Sequence, residues 1–386
     1  MADSRLSLRA RYVFPVEGPP IADGRVVIEA GRIRACEPAA QGRDDLDLGN
    51  VAILPGFVNA HTHLELTALS EPVPAAVGGA APVARDRRGP VDQISWLQEV
   101  IQQRRNRQPE TVSRVIEENL QQVVSSGTTM LADTTTAGAS WPAIADAEVR
   151  AVVFSEVLGL RRDRGLQTLH EAWSWLETVT NVEEVRACAR PGLSPHAPYS
   201  TAGWVYHRAA QSRLPLSTHL AELPDELTLL QTGEGRLRSF LEELGAWDDD
   251  WEPIGASPAD YIRQGELRQS DWLVAHGTYL PPSVFWQLRP EAAPDDQRVA
   301  IAYCPRTHAY FGHAPHPYRA LLERGVVVCL GTDSLASSPS LSILDEIRFL
   351  HRQDGSLSGR LLLTMATLFG AWALRAERVT GSLKPG

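Results

Sequence analysis

The triplet His61-Thr62-His63 is the first place where this chain gathers side chains fit for chemistry. On a strand, residues i and i+2 point to the same side, so both imidazoles can face one opening. Two nitrogens so placed suit a borderline divalent metal, although a lone pair of this kind is more often an ordinary polar strand end. A second signal is Thr218-His219-Leu220-Ala221-Glu222, where His219 offers a third nitrogen. Glu222, three residues on, suits a carboxylate that carries protons; taken alone it reads as an exposed loop residue. The third is Asp333, delivered by the apolar run 326–330. A buried carboxylate is costly unless paired or metal-bound; the competing reading is a helix N-cap. Three chemically compatible signals at separate strand ends are not easily accidental.

These residues need a frame that brings distant strand ends together. Eight apolar runs are visible, at 51–59, 128–133, 151–157, 191–194, 216–220, 272–276, 300–303 and 326–332. The fourth is weak. Amphipathic stretches separate most of them, the pattern of βα units with a parallel sheet. His196 follows the fourth run and His276 ends the sixth. In a (β/α)8 barrel such ends share one face, where catalytic residues collect. Before residue 51 the chain reads as short strands punctuated by turns. The expected organisation is therefore a small β domain over 1–50, a hydrolase barrel over 51–375 and a final segment, 376–386, returning toward the small domain. Segments 70–90 and 233–270 read as a long loop and an insertion.

Composition narrows the classes. The net charge is −10, and the basic residues form no stripe, so nucleic acid is not an expected partner. The four cysteines are scattered without a CxxC pair, which fits a reducing cytoplasm rather than a disulfide framework. No secretory leader is evident at the start, and no run of about 18 apolar residues can span a membrane. The expected location is cytoplasmic.

The segments LPGFVNAHTHLE, SPHAPYS, THLAE, VAHGTYL and LGTDSLASSPSLSILDE occur in an order that resembles the amidohydrolase superfamily. They are most similar to its cytosine deaminase and chlorohydrolase branch, with triazine hydrolases and aminodeoxyfutalosine deaminase-like proteins among its members. The resemblance runs from about residue 10 to the C-terminus. It implies a TIM-type barrel, with the N-terminal strands forming part of a small β-sandwich. The sequence stops at GSLKPG, where relatives usually continue, so the second half of the sandwich is expected to be missing. The resemblance also implies one divalent metal held by His61, His63, His219 and Asp333. Zn2+ is the leading choice, with Fe2+ and Mn2+ as alternatives. No lysine suited to carbamylation stands out on a barrel strand, so one ion is expected rather than two. Glu222 matches the family's proton-shuttling carboxylate and His276 its sixth-strand histidine, which contacts the attacking water or the substrate. Asp333 doubles as ligand and base. His196 matches a substrate-contacting histidine.

The implied reaction is hydrolytic deamination of an amino-substituted, purine-like ring, with aminodeoxyfutalosine or another adenosine derivative as substrate. Dechlorination or N-dealkylation of a heterocycle, and a non-catalytic scaffold, are the competing readings. The partner is a small heterocycle, and a homodimer is compatible with the sequence. Related adenosylhomocysteine deaminases carry Glu before a Trp after the first strand, where this chain has Ser95-Trp96. Trp96 is the expected stacking residue. Glu65 has two readings, a replacement for the missing hydroxyl contact or a buried structural carboxylate. Arg161 and Arg162, beside Arg164, are either a solvated basic loop or a clamp for an anionic substrate tail. His308, His313 and His316 lack a matching carboxylate and read as loop or substrate-contacting residues before a second metal site.

Overall fold

The computed structural model describes residues 5–39, 45–69, 91–147, 149–180, 188–253, 270–281 and 297–386. At the N-terminus, β1 (Arg5–Val13), β2 (Ile21–Glu29) and β3 (Arg32–Pro38) form an antiparallel meander. The β2–β3 link is the two-residue turn Ala30-Gly31, with φ of 49° and 75°. Two positive values match the right-handed twist of a tight hairpin. Short strands β4 (Leu46–Asp47) and β5 (Ala52–Ile53) add in parallel to β1. Val13 and Val26 on this sheet pack with Leu383 from the end of the chain, whose N–H donates to the Pro15 carbonyl at 3.1 Å.

Eight parallel strands follow: β6 (Phe57–Thr62), β7 (Thr128–Thr136), β8 (Arg150–Val157), β9 (Ala189–Pro195), β10 (Leu216–Leu220), β11 (Trp272–His276), β12 (Val299–Tyr303) and β13 (Val327–Leu330). They pair in unbroken chain order, as a sheet wound into a barrel must. The ring closes where Thr62 bridges Asp333. The N–H groups of Thr332 and Asp333 both donate to the His61 carbonyl at 3.0 Å, and the Thr62 hydroxyl donates to the Asp333 carbonyl at 2.9 Å. The seam of the barrel thus passes through two of the residues singled out above.

Each expected run overlaps a barrel strand, with one correction. The run 51–59 is divided by Pro55-Gly56, so Ala52–Ile53 joins the small sheet and the barrel strand starts at Phe57. A Cβ on Gly56 would sit 2.2 Å from Thr129 Oγ1, so only glycine lets the chain pass there. In β12 the two-residue period separates two cores. Ala300 and Ala302 meet Val58, Met130 and Val152, whereas Val299, Ile301 and Tyr303 pack in the larger cluster with Val328 and Leu362. The 70–90 segment lies outside the described residues, as does 254–269 of the expected insertion. The described part of that insertion contains the helix Arg236–Glu243. No described helix is long and apolar enough to cross a membrane.

Candidate active site

His61 and His63 leave the end of β6 buried, and their turn is held from both sides. The Leu64 N–H donates to Asp133 Oδ1 at 2.8 Å, and the Asn119 amide donates to the Leu64 carbonyl at 2.8 Å. Asn59, two residues earlier, ties its side chain to Thr332 across the seam at 2.8 Å. His219 closes β10, and its Nδ1 lies 3.0 Å from the His196 carbonyl. A carbonyl only accepts, so Nδ1 carries the proton and Nε2 is a bare lone pair. That Nε2 lies 3.2 Å from His63 Nε2. His63 Nε2 is 4.0 Å from Asp333 Oδ1, and Asp333 Oδ2 accepts from Ser337 Oγ at 3.0 Å.

Among the described residues, two groups could hold a metal ion: His61, His219 and His276, and His61, His63 and Asp333. Within each, the ligand atoms lie within 4.8 Å of one another. Burial, reinforced by neighbouring histidines, holds His61 and His276 well below the usual imidazole range and lowers His63 and His196 to about 3. Neutral imidazole is the state a metal ligand requires. Burial pushes Asp333 up to about 6.

Glu222 stands on a turn that Glu226 builds. The Glu226 carboxylate accepts the N–H groups of Ala221 and Glu222 at 2.9 and 3.0 Å, and Ala221 takes a left-handed φ of 50°. The Gln93 side-chain amide donates to Glu222 Oε1, which lies 3.7 Å from His276 Nε2. Burial, then the nearby Asp333 and Glu226 charges, raise the Glu222 carboxyl well above its ordinary value. A buried acid that holds its proton can donate it.

These groups open onto a cavity of about 590 Å³, lined by His63, His196, His219, Glu222, His276 and Asp333 at one end. Leu97, Val100, Tyr199, Phe240 and Leu241 supply apolar wall. Trp96 lines it too, fixed by donation from Nε1 to the Ala336 carbonyl at 2.9 Å and by edge contact with Phe311. Arg105, Arg161 and Arg164 also border the cavity.

Other sequence-picked residues divide between the cavity border and positions away from it. Glu65 is buried outside the cavity lining, bound to Arg104 at 2.7 Å and to the Thr136 hydroxyl at 2.9 Å, which favours its structural reading. Arg161 is paired with Asp163 at 3.2 Å, and Arg162 lies over the Trp204 ring at 5.5 Å rather than against the cavity. His308, His313 and His316 do not line the cavity and form no metal-sized group. Sequence reasoning did not find Gln93, Glu226, or the pair Arg104–Glu156, joined at 3.1 Å. Glu156 had a readable signal, a carboxylate at the end of the third apolar run. Burial opposes its charge, but Arg104 and three histidines hold its carboxyl down at about 2.

Known proteins resemble this chain in sequence and in fold. The chain is 26% identical over 393 residues to a 5-methylthioadenosine/S-adenosylhomocysteine deaminase of Moorella thermoacetica, covering 97% of this chain and 82% of that one. It is 27% identical over 361 residues to an aminodeoxyfutalosine deaminase of Deinococcus radiodurans, covering 86% and 74%. The crystal structure of Helicobacter pylori aminofutalosine deaminase, in complex with methylthio-coformycin, superposes with a TM-score of 0.79 at 20% identity, over 99% of this chain and 90% of that one. The amidohydrolase family profile matches residues 52–386, and the chain belongs to that family.

Proposed function

We propose that this protein is a metal-dependent deaminase that hydrolyses the amino group from the purine ring of an adenosine derivative. One observation carries the reading: bare imidazole nitrogens and a carboxylate converge beside a buried glutamic acid in a single cavity.

The donor set fits a divalent metal. Two nitrogens on one tetrahedral zinc, each at about 2.0–2.1 Å, stand roughly 3.3 Å apart, close to the 3.2 Å between His63 and His219. His61 Nε2 is buried without a hydrogen-bond partner, a costly state that a ligand relieves. His61, His63, His219 and Asp333 are the proposed ligands, with zinc favoured for a set of three nitrogens and one oxygen. When bound, the metal would supply a Lewis acid that makes water nucleophilic at neutral pH.

The chain's own residues handle the protons. Asp333 Oδ1 faces the His63 edge of the cluster and is placed to accept a proton from the attacking water. Glu222 delivers a proton to the ring nitrogen beside the carbon under attack, where negative charge develops. Burial raises its affinity for that proton, as suits a group that must carry one to the ring. His276, within reach of Glu222, steadies the oxygen that adds to the ring. Asp333 then returns its proton to the amino group, the added hydroxyl gives its own proton to Glu222, and the carbon–nitrogen bond breaks to release ammonia. The apolar wall with Trp96 and Phe240 suits the flat ring.

The two relatives by sequence are named for adenosine derivatives with different tails. Among the described residues, Arg105 and Arg164 border the cavity without an ion-pair partner. That favours a substrate with an anionic tail, such as the carboxylate of aminodeoxyfutalosine, over a neutral nucleoside. Ammonia release should be measured against aminodeoxyfutalosine, S-adenosylhomocysteine, 5′-methylthioadenosine, adenosine, guanine and cytosine, with metal content determined on the same sample. Turnover of an adenosine derivative by protein holding about one equivalent of metal is expected. Metal-replete protein that releases chloride or an alkylamine from a triazine, and ammonia from none of these, would overturn the proposal.

A further inference from the structure

Three histidines after β12 have no part in the chemistry above. His308, His313 and His316 cluster together, with ring centroids 5.5 Å apart for 308–313 and 5.7 Å for 308–316. His316 has a distinct attachment. Its Nε2 lies 2.8 Å from the carbonyl oxygen of His276, and both residues are buried. The acceptor is a carbonyl, so Nε2 carries the proton, which leaves Nδ1 bare. Nδ1 is accordingly buried without a partner. The ring is held flat against Tyr303, with centroids 4.0 Å apart, and Tyr303 stacks in turn on Tyr318 at 5.5 Å.

The held carbonyl belongs to an unusual residue. His276 ends β11 with a left-handed φ of 67°, and Gly277 continues in the same region at 65°. A residue with a Cβ persists there only when its surroundings over-determine it. The turn matters because it sets the direction of the His276 imidazole, whose Nε2 is 3.7 Å from Glu222 Oε1.

We propose that His316 is a positioning residue for the reaction: by pinning the His276 carbonyl it fixes the left-handed turn that aims the His276 imidazole at Glu222. The inference rests on the deaminase reading, and the experiment separates the two. His316→Phe keeps a flat ring against Tyr303 and loses the donor. His316→Gln restores an N–H near the position of Nε2 and loses the ring. Both variants and the unaltered protein are assayed for kcat, KM, Tm and metal content, with the substrate that the unaltered protein turns over. Small misplacements of catalytic groups cost up to about a hundredfold. H316F should therefore lower kcat about tenfold or more, with KM within about threefold and metal retained. H316Q should recover kcat to within about threefold, even if its Tm is no higher than that of H316F. A normal kcat in H316F, or a folded H316Q slowed more than tenfold, overturns the proposal. Should H316F not fold, the H316Q result decides alone. Failure of the deaminase reading looks different: the unaltered protein then releases no ammonia from any substrate. Activity that His276→Ala removes and H316F spares leaves that reading standing and refutes this one.

Discussion

Arg104→Met should destabilise this protein strongly. Arg104 bridges Glu65 at 2.7 Å and Glu156 at 3.1 Å, and those carboxylate side chains are only 7% and 1% exposed. Methionine fills much of the same volume but strands two buried anions. Breaking a buried pair by removing one partner typically costs about 3–5 kcal/mol. The Glu156 carboxyl points the same way: the Arg104 guanidinium is the largest of the charges that hold it below its ordinary value against burial. Glu65 keeps its bond to the Thr136 hydroxyl, so most of the loss falls on Glu156. The pH dependence has a definite sign. In the unaltered protein the Glu156 carboxyl lies below its unfolded value, so its contribution is complete above about pH 4.5 and is lost as pH falls toward 2. In R104M, burial without a cation raises the carboxyl above 4.5, so stability falls as pH rises through the raised value. The defect should therefore grow between pH 5 and pH 8. Urea unfolding of both proteins at three pH values across that range measures it. The triple variant E65Q/R104M/E156Q, which removes both stranded charges, should recover much of the loss. A defect under about 1 kcal/mol at pH 8, or one that shrinks with rising pH, would refute the reasoning.

Other expectations concern activity. Glu222→Gln keeps the shape of the side chain and loses its proton, so metal content should be unchanged while turnover drops about 10²–10⁴-fold; near-normal turnover would assign the proton to another group. Glu226→Ala removes the acceptor for the Ala221 and Glu222 N–H groups. Two orphaned buried donors at about 1–3 kcal/mol each should lower both kcat and Tm, and a variant with normal kcat would show that Glu222 holds its place unaided. Arg164→Ala and Arg105→Ala should each weaken kcat/KM roughly tenfold for a substrate with an anionic tail, as loss of a charged hydrogen bond does, and leave a neutral nucleoside nearly unaffected; equal effects on both substrates would remove these residues from tail recognition.

The barrel was legible because its strands are buried on both faces. A strand such as Trp272–His276, buried throughout, has to be a continuous apolar run, and a polar residue at its end is conspicuous. The fourth strand was faint for a local reason. It contains Pro191-Gly192 and ends at Pro195, and a Cβ on Gly192 would lie 2.6 Å from the Phe154 ring. There, packing against the neighbouring strand overrode β propensity. Gln93 gave no signal, because it reaches Glu222 from a helix 129 positions away in sequence, and nothing in its neighbourhood marks that contact. The arginines after β8 show a different limit. Their positions were clear, but which of them border the cavity depends on the start of the helix Arg162–Thr180. Arg161 and Arg164 border it, while Arg162 lies on Trp204.

What the sequence hides most is strain. Ala221, His276 and Asp333 adopt φ of 50°, 67° and 56°, and all three stand where β10, β11 and β13 meet the cavity. Such conformations cost residues with a Cβ about 1–2 kcal/mol each, and no propensity or period predicts them. Each is held from outside its own turn. Glu226 accepts the Ala221 N–H, His316 donates to the His276 carbonyl, and the Asp333 N–H and carbonyl are both taken by β6. The cost is thus met by hydrogen bonds that would otherwise be unmade, and the turns are fixed rather than floppy. The consequence is a division of labour between neighbouring residues and distant ones. The side chains that do the chemistry sit at strand ends, where a reader of the sequence looks for them. The groups that aim them lie five residues away for Ala221, four for Glu222, 40 for His276 and 271 for Asp333. A transplanted segment Thr218–Glu226 would therefore carry its ligand and its acid together with the carboxylate that holds their turn, but a transplanted β11 would arrive without the histidine that keeps His276 in its left-handed turn.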